Sequence, residues 1–298
     1  FYGDFRIGGV LGIIGGFNRH LGWATTNNAP ANSQIYALEA DPANENHYML
    51  DGRSHALQEQ RTTVDYRTPD GGLANETRTT LWTAHGPVIH QADGRIYILK
   101  DARRGEWRSG EQFLHMMMSS SLDEWVGIMS MRAYPTSNFT YADAAGNNVH
   151  LYNAKAPLLP HPVTGDTAAF ARNTADIWQE LVPFEDLPLY VNPPGGYTTQ
   201  TNDSPDYTNL NVPMDRDTVP SNVEPVRLRL RSQLSLSLVH GDAKVSLEDV
   251  VALKHSPRML MAERVTDDLL AAIRSSGTAR EGKLAQALRV LESWDRTA

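Results

Sequence analysis

Turn-forming pairs and triplets punctuate the first hundred residues: Asp51-Gly52, Asp70-Gly71-Gly72 and Asp93-Gly94. Between and around them lie short runs at 22–27, 34–39, 47–50, 62–67, 78–83 and 95–99. Asp and Gly accept the left-handed backbone that a tight hairpin turn requires. Runs of this length, bounded this regularly, describe an antiparallel sheet. The stretch 10–17 is apolar and glycine-rich and reads as a further strand, its glycines marking a bulge or a close approach of another backbone.

The pattern then changes. Phe113, Leu114, Met117, Leu122, Trp125, Ile128 and Met129 recur with a helical period across 111–133. Ser121 is placed to cap a helix over 122–132, with Asp123 and Glu124 in its first turn. A hairpin follows, with strands at 138–143 and 148–152 joined through Ala145-Gly146-Asn147. Ten prolines interrupt 155–222, at 157, 160, 162, 183, 188, 193, 194, 205, 213 and 220. Long irregular stretches in compact chains are functional or disordered. The Tyr, Trp and Phe residues here favour an ordered one. Helices are expected at 227–238, 247–255, 267–275 and 283–294, with Ser246 followed by Glu248 and Asp249 as a good start. The chain therefore reads as α+β and as a single domain over 1–298, a partial one by the resemblance described below. Residues 1–110 are mainly β, 111–222 hold helix, hairpin and proline-rich loops, and 223–298 are helical.

Composition removes several function classes. Hydrophobic residues make up 41% and charged residues 21%, which supports a sizeable core. No apolar run approaches the length of a membrane span. A net charge of -8 without a basic cluster argues against nucleic acid as a partner. The sequence has no cysteine, so no disulfide frame and no thiolate nucleophile. None of the ten histidines forms a zinc-helix pair at i, i+4, and His85 and His90 lie five apart across Gly86-Pro87. No metal and no cofactor is expected. Gly52-Arg53-Ser54-His55-Ala56 resembles a nucleophile elbow, but it sits in a hairpin rather than at a strand-to-helix turn. Adjacent Ser54 and His55 on a strand would face opposite ways, a poor arrangement for a catalytic pair.

Four segments occur in order. The first is Gly16-Phe17-Asn18-Arg19-His20-Leu21-Gly22-Trp23-Ala24-Thr25-Thr26-Asn27-Asn28 and the second Thr83-Ala84-His85-Gly86-Pro87-Val88. The third is Asn138-Phe139-Thr140-Tyr141-Ala142-Asp143 with Gly146-Asn147 and Tyr152-Asn153. The fourth runs from Asn192-Pro193-Pro194-Gly195-Gly196-Tyr197 to Thr201-Asn202-Asp203-Ser204-Pro205. Together they resemble the penicillin amidase family of N-terminal nucleophile hydrolases, in the branch that holds acyl-homoserine-lactone acylases. The resemblance extends from near Phe1 to Trp294-Asp295.

That resemblance implies a four-layer αββα sandwich and hydrolysis of a linear amide in a small N-acyl substrate. The nucleophile would be an amino-terminal serine whose own α-amine acts as base, an amine with a pKa near ~8. The side-chain amide of Asn202 and the backbone N–H of Asn27 would donate to the oxyanion. Arg227, at the head of the helix expected from 227, would support them, with Arg229 an equal candidate by spacing. Ile14 would line the acyl pocket, or would simply be core. The stretch Ala31-Asn32-Ser33-Gln34 has no carboxylate where some relatives bind calcium, so calcium is not expected there. The first sixteen residues contain no Ser, Thr or Cys. The chain is therefore expected to be an internal piece of the nucleophile-bearing chain, inactive alone, with the α chain and the rest of the β chain as partners. Export to the periplasm or outside follows from the resemblance only. The rival reading is a β-rich binding module or a degenerate relative without catalysis.

Overall fold

The computed structural model describes residues 2–4, 12–241, 244–277 and 281–298. The first strands are β1 (Tyr2–Asp4), β2 (Gly15–Phe17), β3 (Leu21–Asn27), β4 (Ser33–Ala40), β5 (His47–Leu50) and β6 (Arg53–Ala56). They are followed by β7 (Gln58–Arg67), β8 (Leu73–Thr83), β9 (Gly86–Ala92) and β10 (Arg95–Asp101). Two helices, α1 (Ser109–Met118) and α2 (Leu122–Met129), precede β11 (Thr136–Asp143), β12 (Asn148–Ala154), β13 (Ala169–Phe170) and β14 (Leu189–Val191). The chain closes with α3 (Leu230–Val239), α4 (Leu247–Lys254), α5 (Leu260–Ser276) and α6 (Gly282–Ser293).

The strands form two sheets. One is antiparallel with order β1-β2-β3-β11-β12-β14. The other has order β6-β5-β4-β10-β9-β8-β7, and β13 lies parallel beside β4. Two of the expected turns close two-residue hairpins. Asp51 and Gly52 have φ of 53° and 70°, and Asp93 and Gly94 repeat those values, as type I′ turns require.

Several boundaries differ from the sequence reading. β7 and β8 run longer than 62–67 and 78–83 because the ribbon is almost wholly exposed. Its ladder of hydrogen bonds, rather than an apolar face, sets its length. The helical period over 111–133 is two helices, broken at Ser119 and Ser120. Ser121 does cap the second, accepting from the Glu124 N–H at 3.3 Å. Of the strand expected at 10–17, only Gly15–Phe17 is extended, and residues 10 and 11 lie outside the described residues. The proline-rich stretch is ordered by four short 3-10 turns.

One core cluster lies between α1, α2 and one face of the first sheet. Phe113, Met116, Trp125 and Met129 pack there against Leu21, Trp23, Phe139, Tyr141, Val149 and Leu151. The strand residues alternate along β3, β11 and β12, so they share a face. A second cluster, including Tyr36, Leu38, Ile96 and Ile98, packs the other sheet against Ala171, Ile177 and Trp178.

On the opposite face of the first sheet, His150 stands opposite Thr140 on β11 and Tyr190 on β14. It is fully buried, and neither ring nitrogen has a hydrogen-bond partner among the described residues. Burial pushes its pKa down to about 3. The unfolded chain binds this proton near pH 6.5 and the folded chain only far lower, so neutral His150 leaves stability intact above pH 6.5 and costs it as pH falls toward 3. His150→Leu removes that term. In urea unfolding at pH 7, 6 and 5, the variant gains on the wild type by up to about 1.4 kcal/mol per pH unit below pH 6. Parallel pH slopes for the two proteins would refute this.

Candidate active site

β3 carries the first site residue at its end. Asn28 N–H donates to Thr136 O on β11. Antiparallel ladders alternate, so the Asn27 N–H points away from β11. On that side β2 begins only at Gly15, paired no further along β3 than Trp23. The strand end is exposed there. The segment just beyond it is pinned: Ala29 N–H donates to Glu224 at 3.2 Å, and Ala31 N–H donates to Asn222 O at 2.9 Å. Glu224 also accepts from the buried Tyr152 hydroxyl on β12.

The fourth sequence segment brings Asn202 to the same strand end. Its Nδ2 donates to Thr26 Oγ1 and, at 3.0 Å, to Asn27 O. Its Oδ1 accepts from Arg231 at 3.0 Å. A guanidinium has only donors, so Arg231 dictates which end of the amide faces it and leaves the NH2 toward β3. Asn202 has a left-handed backbone, φ 65°, which Asn tolerates better than most residues.

Around it, three arginines divide the work. Arg227 and Arg229 each donate to Asn202 O at 2.8 Å. Both also reach Asp203, which is only 3% exposed. Asp203 further accepts the Arg229 backbone N–H at 2.7 Å and the Ser232 hydroxyl. Burial alone would raise its pKa, but these bonds and the Arg229 charge hold it below the usual carboxylate range.

The expectation that Arg227 heads a helix is corrected here. α3 starts at Leu230, with extended Arg229 as its N-cap. Arg227-Leu228-Arg229-Leu230-Arg231 alternates with period two, which is an extended pattern, and Asp203 holds its first part extended. Arg231 and Asp203 were missed by sequence reasoning. The alternation was the signal for the first, and nothing local marked the second.

Ile14 is 3% exposed and packs in the core cluster with Trp23, whose Nε1 donates to Ile14 O at 2.9 Å. Ser54 donates to Asp41 and His55 contacts Leu50 O, so the two do not pair with each other. The Thr83-Ala84-His85-Gly86 segment makes a turn in the second sheet, with Thr83 Oγ1 accepting from the His85 and Gly86 N–H groups at 3.2 Å. An open cleft of about 430 Å³ runs along β3 and β11 over Gly22, Ala24, Thr140 and Ala142, bordered by Gly196, Tyr197 and Thr198. By alternation its β3 residues share a face with Thr26.

The Asn27 N–H at the strand end and the Asn202 NH2 held against Asn27 O are hydrogen-bond donors without a charge. Such a pair suits an oxyanion that forms during attack on a carbonyl. The sequence profile of the family described as penicillin amidase matches residues 5–298, and the chain belongs to that family. It is 25% identical over 309 residues to the acyl-homoserine lactone acylase PvdQ of Pseudomonas fluorescens (strain Pf-5), covering 95% of this chain and 39% of that protein. Penicillin G acylase of Escherichia coli is 27% identical over 205 residues, 65% of this chain and 23% of that protein. Among solved structures, a thermostable penicillin G acylase from Alcaligenes faecalis superposes with a TM-score of 0.68 at 20% identity, over 97% of this chain and 50% of that one. The fold is thus that of penicillin G acylase. The chain spans about two-fifths of the length of the PvdQ acylases it matches.

Asp203 is the shared anchor of this arrangement, so Asp203→Ala should unlatch Arg227, Arg229 and the start of α3 together. The guanidinium groups are half exposed, which lowers the penalty. A loss of about 2–3 kcal/mol in urea unfolding is expected. A loss below about 0.5 kcal/mol, the range of an ordinary surface change, would sink this account.

Proposed function

We propose that this chain carries the oxyanion hole of an acylase that hydrolyses linear amides. The substrates are N-acyl amines, N-acyl-homoserine lactones or the side-chain amides of β-lactams. One observation carries the reading: the Asn202 amide, oriented by Arg231, lies against the residue-27 end of β3. Asn202 Nδ2 and Asn27 N–H would together bind the oxygen that becomes negative when the amide carbon turns tetrahedral. Arg227 and Arg229 hold the loop that presents Asn202. Ile14 would wall the acyl pocket in this reading, and its burial in the core cluster fits plain core equally.

The attacking group in this reading is an amino-terminal serine supplied from outside these 298 residues, freed by self-cleavage of a precursor. Its α-amine takes the hydroxyl proton and returns it to the leaving amine. The partners are then the α chain, the rest of the β chain and the N-acyl substrate, and the mature enzyme is exported to the periplasm or beyond. Among the described residues no helix is long and apolar enough to cross a membrane. The 298 residues alone would not turn over substrate.

The test uses the whole reading frame around this chain, expressed and processed, with chromogenic acyl amides of several chain lengths. Asn202→Ala should lower kcat by about 10²–10³-fold with KM little changed, the usual loss for one oxyanion donor. Unchanged kcat in that variant, or no turnover of any acyl amide by the processed wild type, would remove the catalytic reading.

A further inference from the structure

The Asn202 amide nitrogen has two hydrogens, and both are in use: one on Thr26 Oγ1, the other on Asn27 O. To donate to an oxyanion it must release one of these acceptors. A released Asn27 carbonyl would be left without a partner, unless another donor stands ready.

Such a donor is present. Asn138, on β11 directly opposite Thr26, points its Nδ2 at the same Asn27 O, at 3.4 Å. This is a long bond to a carbonyl already taken at 3.0 Å by Asn202. Asn138 is 1% exposed, and its Oδ1 has no partner among the described residues. The acceptor it faces settles the amide's orientation, because Oδ1 turned toward Asn27 O would set two oxygens against each other. A residue selected only to stabilise the strand pair would not bury an amide oxygen unsatisfied, since an apolar side chain of the same shape avoids that penalty.

The geometry points to Asn138 as a positioning residue for the oxyanion hole. It takes over the Asn27 carbonyl when Asn202 turns one N–H to the oxyanion, and so keeps the residue-27 peptide, with its own N–H, in place through the reaction. This rests on the acylase reading above. It also gives a role to the Asn138-Phe139-Thr140 segment, which the proposed chemistry otherwise leaves idle.

The experiment compares processed wild type, Asn202→Ala, Asn138→Leu and Asn138→Ala, each for kcat, KM, melting temperature and the Ki of a boronic acid carrying the substrate's acyl chain. The tetrahedral boronate places an oxygen where the oxyanion forms. For Asn138→Leu, kcat should fall about tenfold, KM should stay within about twofold, and Ki should rise by the same factor as kcat. Its melting temperature should be unchanged or higher, since the orphaned oxygen is gone. Unchanged kcat and Ki in a folded Asn138 variant would overturn the proposal, as would failure of both Asn138 variants to fold, which would make the residue purely structural. If Asn202→Ala is slow while Asn138→Leu is fast, only this inference falls. If Asn202→Ala is fast, the acylase reading falls, and this inference with it.

Discussion

A side-chain amide on an irregular loop can serve a strand end only if the loop backbone is held still. Asn202 meets the residue-27 end of β3 at a sequence separation of 175. It does so from a left-handed backbone, a conformation that costs a non-glycine residue of order 1 kcal/mol. Arg227 and Arg229 offset that cost at its carbonyl, and Arg231 fixes its side chain. Asp203, one residue on, pairs with two of those arginines and takes the backbone N–H at the cap of α3. Two guanidinium groups meet at the Asn202 carbonyl, and this carboxylate lies against both of them.

The fold was legible where turn chemistry is obligatory. Asp51-Gly52 and Asp93-Gly94 need positive φ at both residues, and few other pairs accept it. Elsewhere the physical signal was weak or misleading. β7 and β8 are exposed on both faces, so no alternation marks their ends. Thr266-Asp267-Asp268 has the composition of a helix start, yet α5 begins at Leu260 and buries Thr266 in its middle. Ser119 and Ser120 break a helical period that the apolar residues continue across the gap.

The site divides in the same way. Asn202 and Asn27 were singled out because they sit in segments whose order and spacing resemble a family, and the structure brings the two into contact. Their supports were not. Asp203 looks like an ordinary turn residue until Arg229 and Ser232 reach it from the start of α3. Asn138 sits in a hairpin that explains itself without chemistry. Partners that meet only through tertiary folding leave no local trace. The arginine repeat was the exception, for its period of two marks 227–229 as extended and moves the start of the expected helix to Leu230.

Under the proposed function the donors and the nucleophile are separate, and that separation has a physical basis. An oxyanion hole contributes because its dipoles are in place before charge develops, so that no reorganisation is needed at the moment of reaction. Every contact that orients Asn202 and the residue-27 peptide lies between described residues: β3 with β11, the 202–204 turn, and the arginines before and within α3. None of them requires the attacking hydroxyl. Under the proposed function, the placement of both donors is therefore a property of this chain's own packing, and Asn202 has one N–H to redirect from β3 when the oxyanion forms. One donor of that hole is a main-chain N–H, which any residue except proline can supply. Position 27 is for that reason constrained through the strand that holds it, through Asn138, Asn202 and Glu224, far more than through its own side chain.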